Sequence, residues 1–196
     1  KNSIGIAMAL SYKRLILLIP VILTALGVLI SIFSLDNPGA LLSQYLLEVG
    51  VFALLTSLAI GLSVRLNDGE LSLSHAIGII AFLSLPAEVY PLMTLAIFVG
   101  SVGGVFARQL RGNLLFQQPD TRLSTSHAMY IIARVTLSFF VAGRLYILAG
   151  GQFPLENLTF SNEFANVLPV IVYTLIYTVI YLMIFLLQRY FLQADW

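Results

Sequence analysis

Apolar residues run along this chain in six blocks, separated by short stretches of polar and turn-forming residues. The first block runs from Leu15 to Leu35 and ends at "DNPG" (36–39), residues that favour turns. The second runs from about Ser43 to Val64 and ends at "RLNDGE". The third, from about Leu71 to Leu85, is shorter and stops at "PAEVYP" (86–91), where two prolines bracket a turn. The fourth runs from Leu92 to Ala107, and a polar stretch (108–127) follows it. The fifth runs from about Ala128 to Leu148, ahead of "GG" at 150–151, and the sixth from about Val167 to Leu187. About 20 apolar residues make a helix that crosses a bilayer. An open sheet cannot satisfy its backbone in lipid, so each block predicts a helix. The expected fold is therefore all-α: a polytopic membrane bundle of six transmembrane helices over residues 15–190. A cytoplasmic segment 1–14 precedes the bundle and a cytoplasmic end 191–196 follows it.

Composition fits that pattern. Hydrophobic residues make up 59% of the 196 positions and charged residues only 10%, against about 25% charged in soluble domains. Mean hydropathy is +0.96. The net charge of +1 says little, but the placement of charge says more. Lys1, Lys13, Arg14, Arg65, Arg108, Arg111, Arg122 and Arg189 all fall on one side of the array. The connections on the other side hold Asp36, Glu88, Glu156 and Glu163 and no lysine or arginine. The positive-inside rule then places both termini in the cytoplasm. Tyr12, Tyr45, Tyr90, Tyr190 and Trp196 fall near the expected interfaces, where amphipathic rings prefer to lie. No small-residue cleavage site follows the first block, which argues against a secretory signal. The chain begins at Lys1 rather than methionine, as a fragment or processed form would. There are no cysteines, which excludes disulfides, thiolate metal sites and cysteine nucleophiles.

Within the apolar blocks a few residues are candidates for function. Arg134 lies one or two turns inside the fifth block, where an unpaired arginine costs roughly 2.5–3.5 kcal/mol on insertion scales. It reads either as a ligand anchor or interhelical ion pair, or as a side chain that snorkels to the headgroups. Arg144, near the outer end of the same block, and Glu48, near the outer end of the second, are expected to pair or share a polar site. The alternative is that each reaches interfacial water. Tyr173, Tyr177 and Tyr181 recur every four residues in the sixth block, flanked by Thr174 and Thr178. They form either a hydrogen-bonded seam between helices or an aromatic lining for an apolar ligand or pigment. Ala96, Gly100 and Gly104, with Ser101 and Gly103 nearby, give the fourth block a small-residue face. Such a face serves packing inside the bundle, a homodimer contact or a cavity wall.

The two histidines, His75 and His127, fall near the cytoplasmic ends of blocks, with no spacing that suggests a metal or haem site. No nucleophile–base motif and no phosphate loop is present, so no catalytic residues, enzyme activity, metal or cofactor are expected. The stretch 108–127 is only mildly basic, a membrane-surface anchor rather than a nucleic-acid site. "GELSLSH" (69–75) alternates like a strand. It reads as an extended lead-in to the third helix, with Ser72 or Ser74 as its N-cap and Glu70 on the favourable side of the helix dipole.

The order of these features resembles a known family. "GELSLSHAIGIIAFLSLPAEVYPLMTLAIFVGSVGGVFAR" (69–108), "ARVTLSFFVAGRLYILAGGQFP" (133–154) and "PVIVYTLIYTVIYLMIFLL" (169–187) resemble the multi-pass N-terminal region of bacterial signalling proteins. That region precedes GAF, diguanylate cyclase, HD-type phosphodiesterase or histidine kinase output domains. The chain departs from the pattern at Pro86-Ala87-Glu88, where Gly-Pro is usual, and in the last helix, where threonine or tyrosine replaces an asparagine. The small-residue fourth block is also similar to the substrate-binding subunits of ECF-type vitamin transporters. These resemblances imply a non-catalytic sensor or input module in the bacterial cytoplasmic (inner) membrane. The alternatives are an accessory subunit of a respiratory or photosynthetic assembly, or a small-molecule-binding transporter subunit. The implied partners are the lipid bilayer, a protein partner or further copy in the membrane, and a small apolar or amphipathic ligand; nucleic acid is not among them.

Overall fold

Turn chemistry sets the helix boundaries. The computed structural model describes residues 2–66, 69–71, 73–115, 125–151 and 163–192. Among these the chain forms six α-helices and one two-stranded hairpin. Helix α1 spans Asn2–Phe33, so it begins well before the apolar block at Leu15. Asn37 then adopts the left-handed conformation (φ 53°), which asparagine tolerates, and Pro38 opens α2 (Pro38–Gly61). A residue with non-helical dihedrals, Tyr45 (φ −114°, ψ 19°), kinks α2. Two three-residue strands follow, β1 (Val64–Leu66) and β2 (Gly69–Leu71), paired antiparallel with Val64 opposite Leu71.

Helix α3 is short, Ser74–Ser84. Its N-cap position is Leu73, which makes no side-chain capping bond. The expected cap Ser74 is instead the first helical residue, and Ser72 lies outside the described residues. Leu85 is extended before Pro86, because proline disfavours a helical residue ahead of it. A 3-10 turn at Ala87–Val89 leads into α4 (Tyr90–Leu115), which runs eight residues past the expected end at Ala107. Helix α5 is Thr125–Leu148, closed by Gly150 at φ +80° and a bond from Gly151 N–H to the Tyr146 carbonyl. Helix α6 is Glu163–Leu192.

Close contacts fix the directions of the helices. A Cβ on Gly100 would strike the Ala53 carbonyl and Thr56, and one on Gly104 would strike Ile60 and the Ser57 carbonyl. Gly61 in turn lies against Ala107. Positions rise together along both helices, so α2 and α4 are parallel. The segment between them must therefore run back along the bundle, and α3 lies on that return. Helices α5 and α6 are antiparallel: His127 meets Gln188, Arg134 meets Tyr181 and Phe185, and Tyr146 meets Tyr173. Helix α4 is antiparallel to α5, with Tyr90 against Phe139, Phe140 and Gly143. The core is built on Tyr90, Met93, Ile97, Phe139, Tyr146, Tyr173 and Tyr177.

The surface is inverted relative to a water-soluble bundle. The buried stripe of α1 is Pro20, Thr24, Gly27 and Ser31, while Leu18, Ile22, Leu26, Leu29 and Phe33 face outward. Each buried hydroxyl donates to the carbonyl four residues back, Thr24 to Pro20 (2.7 Å) and Ser31 to Gly27 (2.9 Å). Helix α2 likewise turns Leu46, Leu47 and Leu54 outward and buries Thr56. Outward leucines and inward hydroxyls suit an apolar solvent, since lipid removes the drive to bury leucine. Among the described residues, four helical segments are long and apolar enough to cross a membrane: Pro38–Gly61, Ala87–Leu110, Thr125–Leu148 and Val170–Tyr190. Residues Leu18–Phe33 of α1 are also apolar. The third expected span is reduced to eleven helical residues, about 16 Å or roughly half a hydrocarbon core.

Candidate functional site: a buried arginine and tyrosine column

Spacing on α6 builds the site. Residues four apart share a helix face, so Tyr173, Tyr177 and Tyr181 form one column. Their ring centroids are 6.1 Å apart at each step, the upper pair tilted and the lower pair stacked. Tyr146 of α5 meets the upper end edge-on, 6.5 Å from Tyr173. Arg134 of α5 closes the lower end, its guanidinium 4.3 Å from the centre of the Tyr181 ring and 5.5 Å from that of Phe185. Arg134 is only 3% exposed, so the structure holds it inside the bundle rather than at the surface. A ring face attracts a desolvated cation by about 2 kcal/mol, which offsets much of the cost of burial estimated from the sequence. Ser138 lies one turn from Arg134 on the same face of α5, fully buried, and its hydroxyl completes no hydrogen bond with the protein.

Helix α3 joins the column from a third direction. The His75 ring sits 4.2 Å from that of Tyr177, edge to face. The Tyr177 hydroxyl is within electrostatic reach of Ser74 and of Arg134. At Gly78 a Cβ would lie 3.3 Å from Phe139 and 3.5 Å from the Tyr173 hydroxyl, so the glycine lets α3 approach closely. This placement corrects the expected position of His75. Tyr177 precedes Tyr190 by thirteen residues, or about 20 Å of helix, so His75, at the start of α3, lies level with the middle of α6 rather than with its end. His127 does lie near a helix end, its Nδ1 2.7 Å from Gln188 Nε2.

A second cluster forms where α4 begins. The Tyr90 hydroxyl donates to the carbonyls of Phe139 (3.3 Å) and Phe140. Arg144 lies over the rings of Tyr90 (5.8 Å) and Phe140 (5.6 Å). Ala53 aligns with Gly100, so Glu48 lies near the level of Leu95, five residues or about 7 Å deeper than Tyr90. Glu48 is half-buried on α2, and the neighbours the structure gives Arg144 are aromatic.

Thus Arg134, Tyr173, Tyr177 and Tyr181 converge, while Arg144 lies over Tyr90 and Phe140. Ala96 is buried in the same helix, and Gly100 and Gly104 face α2 within the chain. Comparison with known proteins finds no matching family, no matching characterised protein and no matching solved structure. Sequence reasoning missed His75, Gly78 and Ser138 as members of the site. The one available signal was the shortness of the third block, which leaves its first helical residues too far along the path to lie at a surface.

Proposed function

We propose that this chain is a six-pass, non-catalytic input domain of the bacterial cytoplasmic membrane, with both termini in the cytoplasm. The observation that carries this reading is the column itself. It ties α6 to α5 through Arg134 and to α3 through His75, in the interior of the bundle. A stimulus that moved α3 or α5 would therefore bear on α6, whose far end faces the side rich in arginine. Such a domain acts by shifting a population between two packings, and α6 carries the difference. The parallel arrangement of α2 and α4 supports a return pass through α3, even though α3 alone is half a span. The one-sided distribution of lysine and arginine supports the orientation.

The test is a fusion of a diguanylate cyclase output domain after Trp196, with one to four alanines inserted at the junction. Transmission through a helix predicts cyclase activity that rises and falls with the helical repeat of about 3.6 residues. It also predicts that Tyr177→Phe shifts the baseline. Activity that ignores both changes overturns the input-domain reading and favours an accessory subunit.

A further inference from the structure

We propose that a water-filled crevice enters the bundle from the face that carries Arg65 and Arg108 and reaches His75. Three observations converge on it. First, the hairpin before α3 has two strands that, among the described residues, pair only with each other. The outer edge of each strand needs a hydrogen-bonding medium, which lipid cannot supply. Second, α3 starts beside Tyr177, and the described residues between Leu62 and α3 (63–66, 69–71 and 73) are strand and turn rather than helix. Non-helical backbone at membrane depth persists where protein or water lines it. Third, His75 remains half-exposed at that depth, whereas an imidazole inside a bilayer faces the bundle interior or a watery cavity rather than lipid.

The remaining groups fit this reading. Ser74, Ser138 and Tyr177 supply hydroxyls around the inner end, and the buried Ser138 hydroxyl, which has no partner in the protein, suits a bound water. Arg108 donates to Ser63 (3.1 Å), which in turn donates to the Ile60 carbonyl (2.8 Å), and this anchors the mouth where α2 ends. The crevice admits protons and small water-soluble solutes to the histidine–tyrosine contact. It rests on the membrane reading of the fold but not on signalling.

The chain has no native cysteine, so single cysteines report access directly. In sealed vesicles, a membrane-impermeant thiol reagent should label His75→Cys from the same side as Leu62→Cys. Because the thiolate is the reacting form and lipid suppresses it, labelling should be at least about tenfold faster than at the outward-facing Ile80→Cys. Ser74→Cys, nearly isosteric, should follow His75→Cys and guards against a folding defect in the first variant. If both label as slowly as Ile80→Cys while Leu62→Cys reacts, the crevice is refuted. If Leu47→Cys, on the outer face of α2, labels as fast as Leu62→Cys, the membrane reading itself fails.

Discussion

Arg134 shows how a single residue can be legible in type and illegible in role. Its position in an apolar block marked it as costly, and the structure places two aromatic faces beside it. What the sequence could not supply was the partner, because Tyr181 and Phe185 lie about fifty residues away on another helix. The planar guanidinium stacks on rings in a way that an ammonium does not. Arg134→Lys should therefore lower stability by about 1 kcal/mol, and Arg134→Ala should lower it further by removing the charge and the packing together. Thermal unfolding in detergent, followed by circular dichroism, measures both. Equal stability of Arg134→Lys and the parent would mean that the ring contacts contribute nothing beyond charge. Glu48 and Arg144 illustrate the opposite case. Opposite charges near the outer ends of two blocks suggested a pair, whereas the neighbours the structure gives Arg144 are the rings of Tyr90 and Phe140, which no spacing in the sequence marks.

At the scale of elements, the six apolar blocks gave six helices because lipid leaves the backbone few alternatives. The block ends were less legible where no proline or glycine marked them: α4 continues through Arg108 to Leu115. The third block concealed the largest difference. Its first residue, Leu71, ends a hairpin strand opposite Val64 at the end of the second block, and the helix that follows, Ser74–Ser84, is short and begins beside Tyr177. Alternation in "LSLS" (71–74) overstated the extended backbone: the strand is Gly69–Leu71, Leu73 has turn dihedrals and Ser74 is already helical, while the partner strand, Val64–Leu66, carried no comparable pattern. Small-residue spacing showed that the fourth helix has a close face without showing which helix it meets. Gly100→Ala tests that contact. The new Cβ would press on backbone at Ala53, which cannot move aside cheaply, so a loss of about 2 kcal/mol is expected. Gly50→Ala, on the open side of α2, should be neutral or gain about 0.5 kcal/mol. Similar effects at the two sites would show that α2 and α4 do not pack as described.

For the whole molecule, solvent is the deciding variable. The same fold in water would expose leucine and bury serine, an arrangement with no driving force. In a bilayer it is the ordinary state. Leu26→Lys separates the two environments. On the outer face of a soluble helix a lysine is harmless, whereas near the middle of a spanning helix it costs about 3 kcal/mol. A sharp fall in the fraction of protein that resists alkaline extraction from membranes is expected. Undiminished resistance would count against a lipid-facing α1.

The parallel pairing of α2 and α4 also dictates an order of birth. Two helices that point the same way cannot close as a simple hairpin when the second follows the first. Gly100 leaves the ribosome 47 residues after Ala53, a delay of roughly 2–9 seconds at 5–20 residues per second. During that interval the backbone that Gly100 will touch lacks its α4 neighbour, and the return segment with His75 must already have been threaded back. The close contact between α2 and α4 therefore waits for the whole return segment, although it still precedes the contacts that α5 and α6 make. A chain stalled before Gly100 would leave α2 in the membrane without the neighbour it packs against most closely, a state that quality-control proteases and chaperones of the membrane would meet first.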